Sequence, residues 1–166
     1  MTHQFVVTSL DLSSDRTSFA CGITPLDKYF QTQVSQDIKR RVTACFVASD
    51  AHGKITGYYT LASASVMLAD LPEALVKKLP RYPSVPAVRM GRLAVDQTFK
   101  GKGLGSALLA DALRRAVTSE IAAYAFIVDA KDEGAASFYA HHGFIALTNH
   151  PLHMFIALAT VKDLIQ

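Results

Sequence analysis

Between Lys100 and Gly105 glycine stands at every second position: Lys100-Gly101-Lys102-Gly103-Leu104-Gly105. The run follows a strand-like stretch, Arg89 to Val95, and opens directly into an alanine- and leucine-rich segment with helical periodicity. A glycine-rich turn between strand and helix exposes backbone N–H groups and aims a helix N-terminus at whatever sits there. The chemistry it suggests is anion binding, and phosphate is the first candidate. Lys100 and Lys102 add positive charge, although lysines in a turn are also simply solvated.

Other reactive residue types are less telling by themselves. Tyr139 lies beside Phe138 at helical spacing, which by periodicity alone reads as a packed aromatic. The four histidines His141, His142, His150 and His153 invite a metal reading, but the adjacent pair His141–His142 leaves a helix on different sides and no carboxylate cluster accompanies it, so no metal site is expected. Cys21 and Cys45 make no disulfide framework and read as buried thiols. No carboxylate stands out as a general base, and Asp96 reads as the start of a turn. Basic residues recur as Lys39-Arg40-Arg41, then Lys77, Lys78, Arg81, Arg89 and Arg92, then Lys100 and Lys102. That is either the footprint of a polyanion or several separate solvated faces, and a net charge of +3 does not decide between them.

The elements that must position these residues follow from local pattern. Phe5–Leu10 reads as a strand, and 11–21 as irregular. A helix is expected from Pro25 to about Lys39, with Thr24 as N-cap and Leu26, Tyr29, Phe30 and Val34 on its apolar face. Val42–Ala48 and Ile55–Ala62 flank the turn Asp50–Lys54 as an antiparallel hairpin. Leu71–Leu79 is a short helix and Pro80–Pro86 a stiff loop. Gly105–Ser119 is a helix that buries Leu109, Ala112, Leu113, Ala116 and Val117 and exposes Asp111, Arg114, Arg115 and Thr118. Tyr124–Asp129 is a buried central strand. Asp132 caps a helix from Glu133 to His142, stopped by Gly143. Phe144–Leu147 and Met154–Leu158 are the last strands, with a helical turn at Val161–Ile165. The order gives one domain over residues 1–166, with a mixed sheet and helices on both faces.

Composition sets outer limits. Of the 166 residues, 50% are apolar and 19% charged, which suits a globular chain with a real core. No apolar run approaches the roughly 18–20 residues of a membrane helix. Met1-Thr2-His3-Gln4-Phe5 lacks a basic segment followed by an apolar one, so no secretory leader is expected and a reducing cytoplasm is the expected setting.

With these motifs in place the chain resembles the GNAT N-acetyltransferase superfamily. The family's acetyl-CoA signature, Gln/Arg-x-x-Gly-x-Gly/Ala between strand and helix, has its counterpart in Lys100–Gly105, with lysine at the first position. A second pattern, Asn-x-x-Ala-x-x-Phe-Tyr followed by Gly-Phe, matches Asp132-Glu133-Gly134-Ala135-Ala136-Ser137-Phe138-Tyr139 and Gly143-Phe144, with aspartate for asparagine. Phe19-Ala20-Cys21-Gly22, Leu26–Phe30, Gly57–Ala62 and Gly91–Asp96 look like the toxin branch of bacterial toxin–antitoxin pairs, which acetylates aminoacyl-tRNA.

The resemblance implies an acyl-CoA N-acyltransferase fold, a mixed α/β sheet splayed between its fourth and fifth strands. It implies that Lys100, Gly101, Lys102, Gly103, Leu104, Gly105 and Ser106 hold the acetyl-CoA pyrophosphate. Backbone groups of Leu93, Ala94 and Val95 would hold the pantetheine, and Asp132, Ala135 and Phe138 would complete the cofactor site. Tyr139 becomes the general acid for the leaving thiolate. Arg89 and Arg92 would lie close to the tRNA end, with Lys39, Arg40 and Arg41 as outer phosphate contacts. Expected partners are aminoacyl-tRNA, a ribbon-helix-helix antitoxin and a second copy in a homodimer. An acetyltransferase acting on a small or protein amine, and an acyl-CoA sensor without catalysis, are the competing expectations.

Overall fold

Tyr58 and Tyr59 are neighbours in one strand and are both fully buried, on opposite faces. Tyr58 stacks on Phe30 with ring centroids 4.3 Å apart, whereas the Tyr59 hydroxyl donates to Asp111 on a different helix at 2.5 Å. This alternation is why the strand needs helices on both sides.

The computed structural model of the protein describes residues 5–165. The leader reading of residues 1–4 therefore lies outside the described residues. The elements in chain order are β1 (Val6–Ser9), α1 (Thr24–Lys28), a π-helical turn (Tyr29–Gln33), α2 (Val34–Lys39), β2 (Ala44–Ser49), β3 (Ile55–Met67), α3 (Glu73–Val76), β4 (Ser84–Val95), α4 (Leu104–Thr118), β5 (Ala125–Asp129), α5 (Glu133–His141), β6 (Ile145–Leu147), β7 (His150–Ala157) and α6 (Leu158–Ile165). The strands are hydrogen-bonded in the order β1-β2-β3-β4-β5-β7-β6. β4 and β5 are parallel, whereas β1–β2, β2–β3, β5–β7 and β6–β7 are antiparallel. The β4–β5 register runs from Ala87–Ala125 to Met90–Val128, and β4 continues to Val95 beyond it, as the expected splay requires.

The chain forms two compact units. The first contains the described residues up to Ala62 together with Gly91–Ala112. Its core joins Phe19, Phe30, Val34, Val47, Tyr58 and Ala94. Phe19 meets both Phe30 and Tyr58 edge-on, at 5.1 and 5.5 Å. Each such aromatic pair adds about 0.5–1.5 kcal/mol beyond its burial. On the other face a Cβ added to Gly57 would fall 2.8 Å from Leu108 of α4, so the missing side chain lets helix and strand approach.

The second unit contains Ser63–Met90 and the described residues from Leu113 onward. Here Phe126 and Ile127 alternate in the same way. Phe126 meets Phe144 at 6.0 Å, and Ile127 joins Val66, Leu71, Val85, Ala87 and Phe155.

Four expectations are corrected. The helix over 24–39 is interrupted by the π turn, and its N-cap is Ile23 rather than Thr24. No side chain caps this end; the Asp27 carboxylate instead reaches back to accept from the Cys21 N–H at 2.8 Å and ties down the segment before the helix. Pro86 lies inside β4 rather than in a loop; a proline near the start of a strand is tolerated where no ladder bond needs its nitrogen. Asp111, placed by helical periodicity on the solvent face of α4, turns instead to Tyr59.

Candidate functional site

The glycine turn is built by local sequence. Asp96 follows β4 and caps the next 3-10 turn, Gln97–Phe99. It is buried at 3% exposure; one carboxylate oxygen accepts from the Thr98 N–H and hydroxyl at 3.0 and 2.8 Å, the other from the Ala20 N–H at 3.1 Å. Burial pushes its pKa up, but these donors outweigh burial and the carboxyl sits below its ordinary range. Asp96 is thus a structural carboxylate, consistent with its reading as the start of the turn.

Gly101 and Gly103 both adopt left-handed backbone, with φ +78 and +79, and an added Cβ would meet nothing within 4 Å at either. Glycine is therefore required by conformation and not by crowding. Gly105 lies within α4 and is absent from the left-handed positions. The ladder of α4 begins with Ala107 donating to the Gly103 carbonyl at 3.1 Å, so the N–H groups before it point out of the helix end. Lys102 is exposed, with its ammonium 5.2 Å from the Phe99 ring. Lys100 is not free: its ammonium donates to the Cys21 carbonyl and ties the turn to the Cys21–Gly22 segment. A shallow turn with two left-handed glycines, open space above them and a helix end behind them fits a pyrophosphate. Leu93 and Val95 are half-buried and Ala94 is buried, on the part of β4 that extends past its register with β5.

The same unit holds Arg92, whose guanidinium carbon lies 3.4 Å from the centroid of the Tyr29 ring. The Tyr29 hydroxyl donates to Asp37 at 2.7 Å. Lys39 ends α2, Arg40 is its C-cap and Arg41 follows with φ 58. All three are exposed.

In the second unit α5 carries Tyr139. Asp132 is the N-cap, accepting from the Ala135 N–H at 2.8 Å. Tyr139 is buried at 8% exposure, against Phe138 and Phe144 at 5.3 and 5.5 Å. Burial, and secondarily the charge of Asp129, push its phenol up to about 12. Phe138 and Ala135 are half-buried. Arg89 pairs with Asp129 at 3.4 Å, and the other Asp129 oxygen lies 2.8 Å from His153 Nδ1. His150 lies 3.8 Å from Asp70. These carboxylate partners of the histidines were missed from sequence: the β5–β7 register brings Asp129 to His153, and Asp70, in the turn after β3, meets His150 only through the tertiary fold. Among the described residues no group of three His, Cys, Asp or Glu is arranged to hold a metal.

The sequence profile of the acetyltransferase (GNAT) domain family matches residues 21–154. A tRNA-acetylating toxin of Mycobacterium tuberculosis is 36% identical over 155 residues, spanning 92% of this chain and 92% of the relative. The structure of AtaT complexed with acetyl-methionyl-tRNAfMet aligns with a TM-score of 0.90 and 26% identity, over 98% of this chain and 100% of that one. The crystal structure of AtaTR bound with AcCoA aligns with a TM-score of 0.85 and 25% identity, over 98% of both chains. The glycine turn, the Tyr139 helix and these likenesses agree, and the chain belongs to the GNAT acetyltransferase family.

Proposed function

We propose that this protein transfers the acetyl group of acetyl-CoA to the α-amino group of aminoacyl-tRNA. It thereby acts as a toxin that blocks translation until a cognate antitoxin neutralises it. The observation that carries the reading is the 36% identity, across 92% of both chains, to a tRNA-acetylating toxin. The likeness to AtaT, solved with an acetylated aminoacyl-tRNA, supports it. The family profile covers parts of both compact units, which supports one catalytic domain over residues 1–166. No helix among the described residues is long and apolar enough to cross a membrane, and we place the protein in the cytoplasm, as a homodimer with a ribbon-helix-helix antitoxin.

In this reading the N–H groups of Lys100–Ser106 and the Lys102 ammonium hold the pyrophosphate of acetyl-CoA, which supplies an activated thioester. Backbone groups of Leu93, Ala94 and Val95 bind the pantetheine in the manner of an added strand, and one of their N–H groups faces the developing oxyanion. Asp132, Ala135 and Phe138 shape the wall that Tyr139 shares.

Tyr139 serves the sulfur. A phenol pushed up to about 12 stays protonated at neutral pH and is a donor there. An ordinary thiol titrates near about 8.5, so complete transfer from Tyr139 to a thiolate is uphill by about 3.5 pH units. Its contribution is a hydrogen bond that strengthens as charge grows on sulfur. Arg89, Arg92, Lys39, Arg40 and Arg41 supply the phosphate contacts.

The test is incubation with labelled acetyl-CoA and a pool of charged tRNAs. Label on the aminoacyl group is expected, and its absence alongside intact acetyl-CoA binding would sink the reading.

A further inference from the structure

His153, Asp129 and Arg89 form a connected polar cluster in the second unit, outside every role assigned above to a histidine. Asp129 is the last residue of β5 and stands opposite His153 of β7 in the antiparallel register. One carboxylate oxygen lies 2.8 Å from His153 Nδ1, and the other 3.4 Å from the Arg89 guanidinium. The His150 ring lies 5.4 Å from that of His153, and Asp70 lies 3.8 Å from His150. Among the described residues the charged and titratable groups that face His153 are thus Asp129 directly, Arg89 through Asp129, His150, and Asp70 through His150.

This arrangement fixes the imidazole. A carboxylate at Nδ1 selects the tautomer with its proton there, donated to Asp129, and leaves the lone pair on Nε2. Among the described residues no protein group bonds Nε2. The side chains of His153 and Asp129 are 51% and 41% exposed, so a solute can reach them. A base held by a third group is the usual construction of a proton acceptor. The cluster is also joined to the catalytic helix. Asp129 leads through Ala130 and Lys131 into Asp132, the N-cap of the helix that carries Tyr139, and its charge is felt by the Tyr139 phenol.

We propose that His153, oriented by Asp129, accepts the proton that the acceptor amine must lose before it can attack. The proposal rests on the aminoacyl-tRNA reading. An α-ammonium group titrates near about 7.7–8.0, so much of it is still protonated at pH 7. His153 Nε2 takes one of its three protons. The freed nitrogen lone pair then forms the N–C bond to the acetyl carbon, as the C–S bond breaks and its electron pair leaves on sulfur. The second proton lost by nitrogen ends on sulfur, whose growing charge the Tyr139 hydroxyl hydrogen-bonds, and the imidazolium returns its proton to water. The products are the N-acetyl amide, the free thiol and one released proton.

The experiment measures kcat/KM on one purified charged tRNA at pH 6.5 and pH 9 for wild type, His153→Gln and Asp129→Asn. Thermal stability and acetyl-CoA affinity are measured alongside. Glutamine keeps an N–H for Asp129, so it preserves a merely structural cross-strand pair. His153→Gln is expected to lose about 10²-fold at pH 6.5 and less than about 10-fold at pH 9, where the amine is already neutral. Asp129→Asn should lose less, in the same direction. Wild-type activity of His153→Gln at pH 6.5, or an equal loss at both pH values, overturns the assignment. A wild-type protein that labels no charged tRNA overturns the substrate reading, and with it the acceptor assigned to His153.

Discussion

Arg92 lies over Tyr29, its guanidinium carbon 3.4 Å from the ring centroid, and the Tyr29 hydroxyl is held by Asp37. Tyr29 opens the π-helical turn, so the extra residue in that turn sets the ring where β4 presents the arginine. The guanidinium is thereby oriented, and among the described residues it has no ion pair. Arg89, three residues earlier on the same strand, is paired with Asp129 instead.

Arg92→Ala is therefore expected to raise KM for aminoacyl-tRNA and lower the slope of log affinity against log salt by about 0.7–0.9. The cation–π contact contributes roughly 0.5–2 kcal/mol, so the melting temperature should move little. Arg92→Lys should not restore activity, because an ammonium does not stack as a plane. Tyr29→Phe keeps the stack and should behave much like wild type, whereas Tyr29→Ala should lose both stability and tRNA affinity. Titrations of tRNA binding at several salt concentrations measure all four.

Tyr139→Phe removes one hydroxyl from a buried ring and leaves its packing on Phe138 and Phe144 intact. We expect kcat to fall about 10- to 10³-fold with acetyl-CoA affinity unchanged. With the phenol pushed up to about 12, the wild-type rate should show no alkaline decline from Tyr139 up to pH 10. Single-turnover rates for both proteins across pH 6–10 test this; a variant at wild-type rate would remove Tyr139 from the chemistry.

How legible these features were in the sequence depended on how local their causes are. Gly101 and Gly103 were readable because a left-handed turn needs glycine whatever surrounds it. Asp132 was readable as an N-cap because its partner, the Ala135 N–H, is three residues away. Tyr139 was readable only through the family pattern, since periodicity makes it another packed aromatic. The Asp129–His153 pair depends on a strand register that no local signal specifies. Asp111 misled for the same reason: its helix places it among polar residues, and only the tertiary partner Tyr59 explains its half-buried position. The π turn at Tyr29–Gln33 leaves a run that still reads as one amphipathic helix.

The glycine turn separates backbone strain from crowding. At Gly103 an added Cβ has open space, so Gly103→Ala introduces no clash and only the left-handed φ of +79 is penalised. The penalty is about 1–2 kcal/mol if the turn holds, and less if it relaxes. A relaxed turn would misdirect its N–H groups, so acetyl-CoA affinity should fall as stability recovers. Gly103→Asn tolerates the left-handed region better and should retain more of both. Calorimetric acetyl-CoA titration and thermal melts of the two variants distinguish these outcomes; equal, wild-type-like values would mean that the turn does not depend on glycine.

Stability should decline at alkaline pH earlier than activity does. Burial pushes the Cys45 thiol from 9.0 up to about 12 and, with Asp129, the Tyr139 phenol from 10.0 up to about 12; it also raises Tyr29 and Tyr58. A group whose folded pKa is raised holds its proton in the native state while the unfolded chain has already lost it. Its stabilising contribution is complete below its unfolded pKa and disappears as pH climbs through the folded value. The decline should thus begin near pH 9 with Cys45 and steepen above 10 with the tyrosines. Tyr139 alone accounts for about 2–3 kcal/mol by pH 12. Urea unfolding under reducing conditions at pH 8, 9.5 and 11 should show this fall. Cys45→Ala should flatten its first part, although it lowers stability at pH 8 by leaving a small cavity. If Cys45→Ala keeps the wild-type slope between pH 8 and 9.5, the early loss does not arise from the buried thiol.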